Sequence, residues 1–168
     1  MEESGSIVKE LLNTIPQTGQ VVWIGLRPGR KVPMEVVSKA EAIPGLGLSG
    51  DRFKGTVESK RQVTLIQHEH LSVIENIIGM KVDPAILRRN IVIEGINLLS
   101  LHNQTFRIGE VIFEGTGYCH PCSNMESALG KGGYNAMRGH GGITARVLSP
   151  GSIRVNDALN FIEVRHDR

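Results

Sequence analysis

At 168 residues, with 40% apolar and 21% charged side chains, the chain is sized for one globular domain that buries its own core. A formal charge of only +2 excludes a generally basic nucleic-acid or membrane-surface binder, although the arginines cluster enough for a local basic pocket. No apolar run reaches the roughly 18 residues of a membrane span, and Glu2 and Glu3 do not open a signal peptide, so a cytoplasmic protein is expected.

Residues 1–18 read as an N-terminal arm or short helix, weakly amphipathic through Ile7, Val8, Leu11, Leu12 and Ile15 and ended by Pro16. Val21 to Ile24 is β-branched and aromatic, which predicts a strand. The Pro28-Gly29 turn leads to a second strand over Val32 to Val37, and residues 43–52 form a glycine-rich loop. That loop has no Gly-Lys-Ser/Thr ending, so it is not a Walker loop; its Asp51 either pairs with an arginine or is a plain turn residue.

Gln62 to Ile66 predicts a strand, and Leu71, Ile74, Ile77 and Ile78 give His68 to Ile78 a helical spacing that Gly79 stops. Asp83-Pro84 starts a short helix carrying Leu87 and Arg88, and Asn90 to Glu94 returns to β. Further strands are predicted at 106–108, 111–114, 143–148 and 153–155, with Leu159 to Val164 closing the chain. Many short strands and twenty glycines point to a mainly β fold, a barrel over residues 19–168 with one or two short helices.

The sharpest motif is Cys119-His120-Pro121-Cys122. Two cysteines three positions apart cannot staple such a domain and read as redox, ligand or catalytic chemistry in a reducing compartment. A thioredoxin-like dithiol needs a parallel α/β frame, which the strand-after-strand pattern does not offer, although Ser123 to Ser127 could begin a helix. A structural zinc site lacks a second CxxC or finger-like histidine spacing. Two ordinary cysteines, one of them buried, are the bland alternative. A thiolate that binds a soft metal or carries a persulfide is the reading preferred here. No paired carboxylates and no Ser-His-Asp order point to a hydrolase.

Five segments in order resemble the MOSC family, the C-terminal module of molybdenum cofactor sulfurases: 50–53 (Gly-Asp-Arg-Phe), 62–66, 88–93, 119–122 and 139–147. The likeness runs from about residue 20 to residue 162. It implies a β-barrel whose pocket accepts a molybdenum–pterin cofactor, with Cys122 at the ligand position and Cys119 nearby as a second thiol. It also places Arg27, Arg52 and Arg88 where the family contacts the cofactor, since arginine grips a pterin phosphate through a planar fork. Asn90 could bond the pterin edge, and Arg61 and Arg146 are further basic candidates, whereas Arg89 alternates with Arg88 and is expected to face solvent.

Three histidines complete the candidate set. His120, beside both cysteines, would favour a thiolate when protonated. His140 stands in a glycine loop suited to close backbone approach, and His68 either lines the pocket or starts a helix at the surface. The implied function is a component of a molybdoenzyme that reduces N-hydroxylated small molecules, drawing electrons from a partner protein because no flavin, haem or iron–sulfur motif is visible. The alternatives are a cofactor or persulfide carrier serving a cofactor-biosynthesis enzyme, and a CxxC thiol–disulfide protein. Pyridoxal phosphate, carried by the sulfurases on another domain, is not expected.

Overall fold

Strand burial explains the architecture before any topology is drawn. The computed structural model describes residues 2–163, and Val164, the expected end of the last strand, lies outside the described residues. Strands β5 (Val63–Gln67) and β6 (Ile91–Glu94) are apolar on both faces, and they pair parallel, Leu65 opposite Ile91 and Ile66 opposite Val92. A parallel pair needs a long crossover. Helices α2 (His68–Ile78) and α3 (Pro84–Leu87) supply it and cover the outer face.

The remaining wall strands are antiparallel: β1 (Gly19–Leu26), β7 (Thr105–Ile108), β8 (Val111–Tyr118), β9 (Ile143–Ser149) and β11 (Ala158–Ile162). Their order is β1-β6-β5-β9-β8-β7-β11, and β11 returns to β1 at Gly19 opposite Leu159, closing a seven-stranded barrel. Closure removes the open sheet edges that invite aggregation. A small sheet of β3 (Lys39–Ile43), β4 (Gly47–Leu48) and β10 (Gly151–Arg154) lies beside it.

Two apolar clusters follow from the pleat. Val21, Ile24, Leu65, Ile91, Phe106, Phe113 and Ile143 fill the barrel. The alternate residues Ile66 and Val92 face out, onto Leu71 and Ile74 of α2 and onto Met125, Leu129 and Met137. The last three belong to helices α4 (Ser123–Leu129) and α5 (Gly133–Met137), which sequence periodicity did not predict. Helix α1 (Glu2–Leu12) keeps Ile7, Val8, Leu11 and Leu12 exposed. No helix among the described residues is long and apolar enough to cross a membrane.

Two expected elements are shorter or different. The second strand, β2, spans only Glu35–Val37, because Pro33 has no N–H for a ladder and the Val32 carbonyl accepts from the Arg88 side chain instead. The glycine-rich segment makes its turns at Gly45, Gly47 and Gly50, all at positive φ, yet contributes β4 between them.

Candidate functional site

The β8–β9 connection is an excursion of two short helices rather than a hairpin turn. The Cys119 N–H donates to the Gly142 carbonyl at 2.8 Å, so the excursion is tied at its neck. Arg89 holds it from below. Its Nε donates to the Gly141 carbonyl at 2.9 Å, Nη1 to Leu87 at 2.8 Å and Nη2 to Cys119 at 3.4 Å. Only glycine fits at position 141, where a Cβ would lie 2.1 Å from the Cys119 carbonyl oxygen.

Arg89 is 5% exposed, which corrects the expectation that it faces solvent. Alternation fails because Arg88 is not extended: it caps α3 in the left-handed region at φ 56°, which turns both neighbours. Burial lowers the Arg89 pKa, and nearby Arg61 adds to that shift while Cys119 and Cys122 oppose it. The guanidinium stays charged at any ordinary pH. Among the described residues no carboxylate pairs with it.

The two thiols differ. Cys119 is buried with its Sγ 3.4 Å from Arg61 Nη2, whereas Cys122 is exposed at the N-cap of α4. The thiol that lines a cavity is Cys119. That cavity holds about 240 Å3 among Leu99, Tyr118, Cys119, His120, Pro121 and three glycines of the 139–142 loop. On the α4 side lies a second hollow of about 350 Å3 whose cationic wall is Arg30, Lys31, Arg52 and Arg88, facing Asn124 and Ser127.

Most of the nominated polar residues are engaged with the protein itself. Arg27 forks onto Asp51, Nε to Oδ1 at 3.1 Å and Nη2 to Oδ2 at 2.8 Å. Burial works against Asp51 ionisation, but the hydrogen bonds and charge of Arg27 outweigh it and hold the carboxyl below its ordinary range. Asn90 is fully buried. Its Nδ2 donates to Asp51 and Gly25 while its Oδ1 accepts from Thr64, so its amide has no group left for a pterin edge. Arg88 donates to the Val32 and Gly29 carbonyls at 2.6 and 2.9 Å and still fronts the hollow.

Arg146, His68 and His140, like Arg27, Arg61, Asn90 and Cys122, line neither hollow. Arg146 pairs with Glu114 at 2.7 Å and Glu58 at 3.4 Å. His68 is exposed at the start of α2, and His140 sits 5.2 Å from His70, edge to face, with its Nδ1 3.1 Å from the Ala136 carbonyl. His120 lines the Cys119 cavity. Sequence reasoning passed over Tyr118 and Leu99; an aromatic next to the cysteine motif was the available signal for the former.

Arg88 records how crowded the positive charge is. Burial comes first in lowering its pKa, and the charges of Arg27 and Arg52 push it further the same way. Guanidinium charge in the hollow beside α4, whose N-cap is the exposed Cys122, suits an anionic ligand with a thiophilic metal. No group of three or more His, Cys, Asp or Glu side chains among the described residues could hold a metal unaided. A metal here would therefore arrive with most of its own ligands.

Solved structures share this fold at low identity. YuaD from Bacillus subtilis superposes with a TM-score of 0.74 at 18% identity, covering 87% of this chain and 97% of its own. YiiM from Geobacillus stearothermophilus gives 0.71 at 16% identity, covering 86% and 75%. YiiM from Escherichia coli gives 0.65 at 18%, covering 88% and 72%. No curated protein matches the sequence significantly. The sequence profile of the MOSC domain matches residues 50–160, from the turn before Asp51 through the cysteine excursion into β11, and the chain therefore belongs to the MOSC domain family.

Proposed function

We propose that the protein holds a molybdenum–pterin cofactor and acts as a component of an oxidoreductase for N-hydroxylated small molecules. The observation that carries this reading is that Arg61 and Arg89 lie against Cys119 while Arg52 and Arg88 line the hollow beside α4, whose N-cap is Cys122. Arg52 and Arg88 would take the pterin phosphate, because guanidinium forks match phosphate oxygens and charged hydrogen bonds are the strong ones. Cys122, the accessible thiol, would face the metal, and Arg89 would keep the segment in register. When bound, such a cofactor supplies two-electron chemistry at its metal, with electrons delivered by a partner protein.

The test is cofactor content. Protein isolated from cells supplied with molybdate is expected to carry molybdenum and pterin in equal amounts, with Cys122→Ser retaining pterin but losing most of the metal. Preparations that never carry molybdenum, with both thiols reduced, would sink the reading.

A second reading, transient delivery of sulfur or cofactor to a biosynthetic enzyme, draws support from the exposure of Cys122. A reducing compartment such as the cytoplasm would keep that thiol free. Persulfide on Cys122, with no turnover of N-hydroxylated compounds by metal-loaded protein, distinguishes carrier from enzyme.

A further inference from the structure

The cavity beside Cys119 differs in chemistry from the arginine-lined hollow, and that difference names what it would hold. Its lining has no Lys, Arg, Asp or Glu. Leu99, from the 3-10 turn Leu98–Leu101, and Pro121 give it aliphatic surface. Tyr118 gives it a flat face and is 47% exposed although it stands at the end of a barrel strand. The His102 ring lies 4.8 Å from that of Tyr118 and tilts by only 31°, while His120 meets Tyr118 nearly edge-on at 6.4 Å. The opposite side is glycine backbone, and a Cβ added at Gly139 would meet nothing within 4 Å.

We propose that this cavity receives an uncharged planar ring, and that Tyr118 is the residue that sets the preference. The geometry supports the chemistry. Aromatic faces favour offset or edge contacts with other rings, worth about 0.5–1.5 kcal/mol beyond burial alone. An apolar cavity of roughly 150 Å3 already admits benzene. The about 240 Å3 here therefore fits one substituted ring, and the glycine side lets it lie close to backbone. The cations nearest these walls, Arg61 on the Cys119 sulfur and Arg89 on the Cys119 and Gly141 carbonyls, are engaged with the protein. A carboxylate or phosphate would therefore go to Arg30 and Arg52 of the other hollow instead. Assigning the ring to a substrate rests on the function proposed above; the ring preference does not.

The experiment titrates benzamide, benzoate and cyclohexanecarboxamide into the full chain without added cofactor, followed by amide chemical shifts. Benzamide is expected to move the amides of Cys119, His120, Gly139 and Gly142, and to bind about fivefold to tenfold more tightly than either comparison compound. Tyr118→Leu should weaken benzamide by a similar factor while Tyr118→Phe retains it, both with unchanged shifts elsewhere in the barrel. Benzamide that leaves those amides unmoved, or equal affinity for the saturated ring, overturns the proposal; so does full binding by the Leu variant. Metal content plays no part in this readout. A chain that discriminates the rings yet never carries molybdenum would keep this inference and refute the cofactor reading.

Discussion

Two sets of polar side chains meet at the same end of the barrel, and they are used in opposite ways. Arg27, Asp51, Asn90 and Thr64 form a closed lattice in which each side chain answers another. No buried side-chain nitrogen or oxygen among the described residues lacks a partner. Arg52, Arg61 and Cys122 are exposed, and no carboxylate among the described residues pairs with either arginine. Charge locked into a lattice gives a fixed frame. Charge left on its rim remains available for a ligand. Arginines counted along a sequence mix the two kinds, and burial with partners separates them.

The comparison breaks first at the lattice. Asn90→Ala would leave Asp51, the Gly25 carbonyl and Thr64 short of partners in a dry site, and each orphaned group costs about 1–3 kcal/mol. A loss of about 4 kcal/mol of unfolding free energy in urea is expected, and a loss below about 1 would mean water replaces the amide easily. Asp51→Asn comes next at about 2–3 kcal/mol, since Arg27 keeps one arm of its fork on the remaining oxygen but loses the other arm and its counter-charge. Its pH signature is specific. The folded carboxyl titrates below the unfolded one, so its stabilisation is complete above the unfolded value of about 4 and is lost as pH falls through the folded value. The Asn variant should flatten the acid limb of the stability curve, and an unchanged limb would count against the pair.

On the rim the ordering reverses. Arg52→Ala should change unfolding free energy by less than about 0.5 kcal/mol. The same change should weaken pyrophosphate binding about tenfold, as expected for one charge-assisted contact of about 1.4 kcal/mol. Calorimetry with pyrophosphate on both proteins reads this directly. Equal affinities would move Arg52 out of the proposed site, and a large stability loss would place it in the lattice instead.

What the sequence made legible follows the same division. Strands β5 and β6 stood out as short apolar runs buried on both faces, and the α2 stripe with its Gly79 stop stood out because burial on one face imposes a period. Asp51 was open between an arginine partner and a turn, and both statements hold: it follows Gly50 at φ 90° and grips Arg27. Strand β3 was passed over because Lys39–Ile43 shows only two inward alanines, a weak alternation. Helices α4 and α5 are short, separated by Gly130-Lys131-Gly132, and defined by packing in the outer cluster with α2 rather than by propensity. The choice of sulfur facing the cavity was not readable either, since it depends on the Cys119–Gly142 and Arg89–Gly141 bonds, which join residues far apart in the chain.

The smallest effect concerns the histidine pair beside the excursion. His70 is half-buried on α2, and its ring meets His140 of the 139–142 loop at 5.2 Å. Burial does most to lower its pKa and the charge of His140 adds to it, while Glu69 opposes both. The unfolded ring therefore takes up a proton before the folded one does. Stability is unaffected above the unfolded value of about 6.5 and declines as pH falls through that value toward the folded one. Because the loop carries Gly139, Gly141 and Gly142, protonation should loosen the Cys119 cavity before it threatens the barrel. Amide exchange at Gly141 and Gly142 should rise between pH 6.5 and 5.5 beyond the intrinsic pH trend, while the amides of Leu65 and Ile91 stay protected. His70→Gln should remove the excess, and a variant that keeps it would place the pH sensitivity elsewhere in the loop.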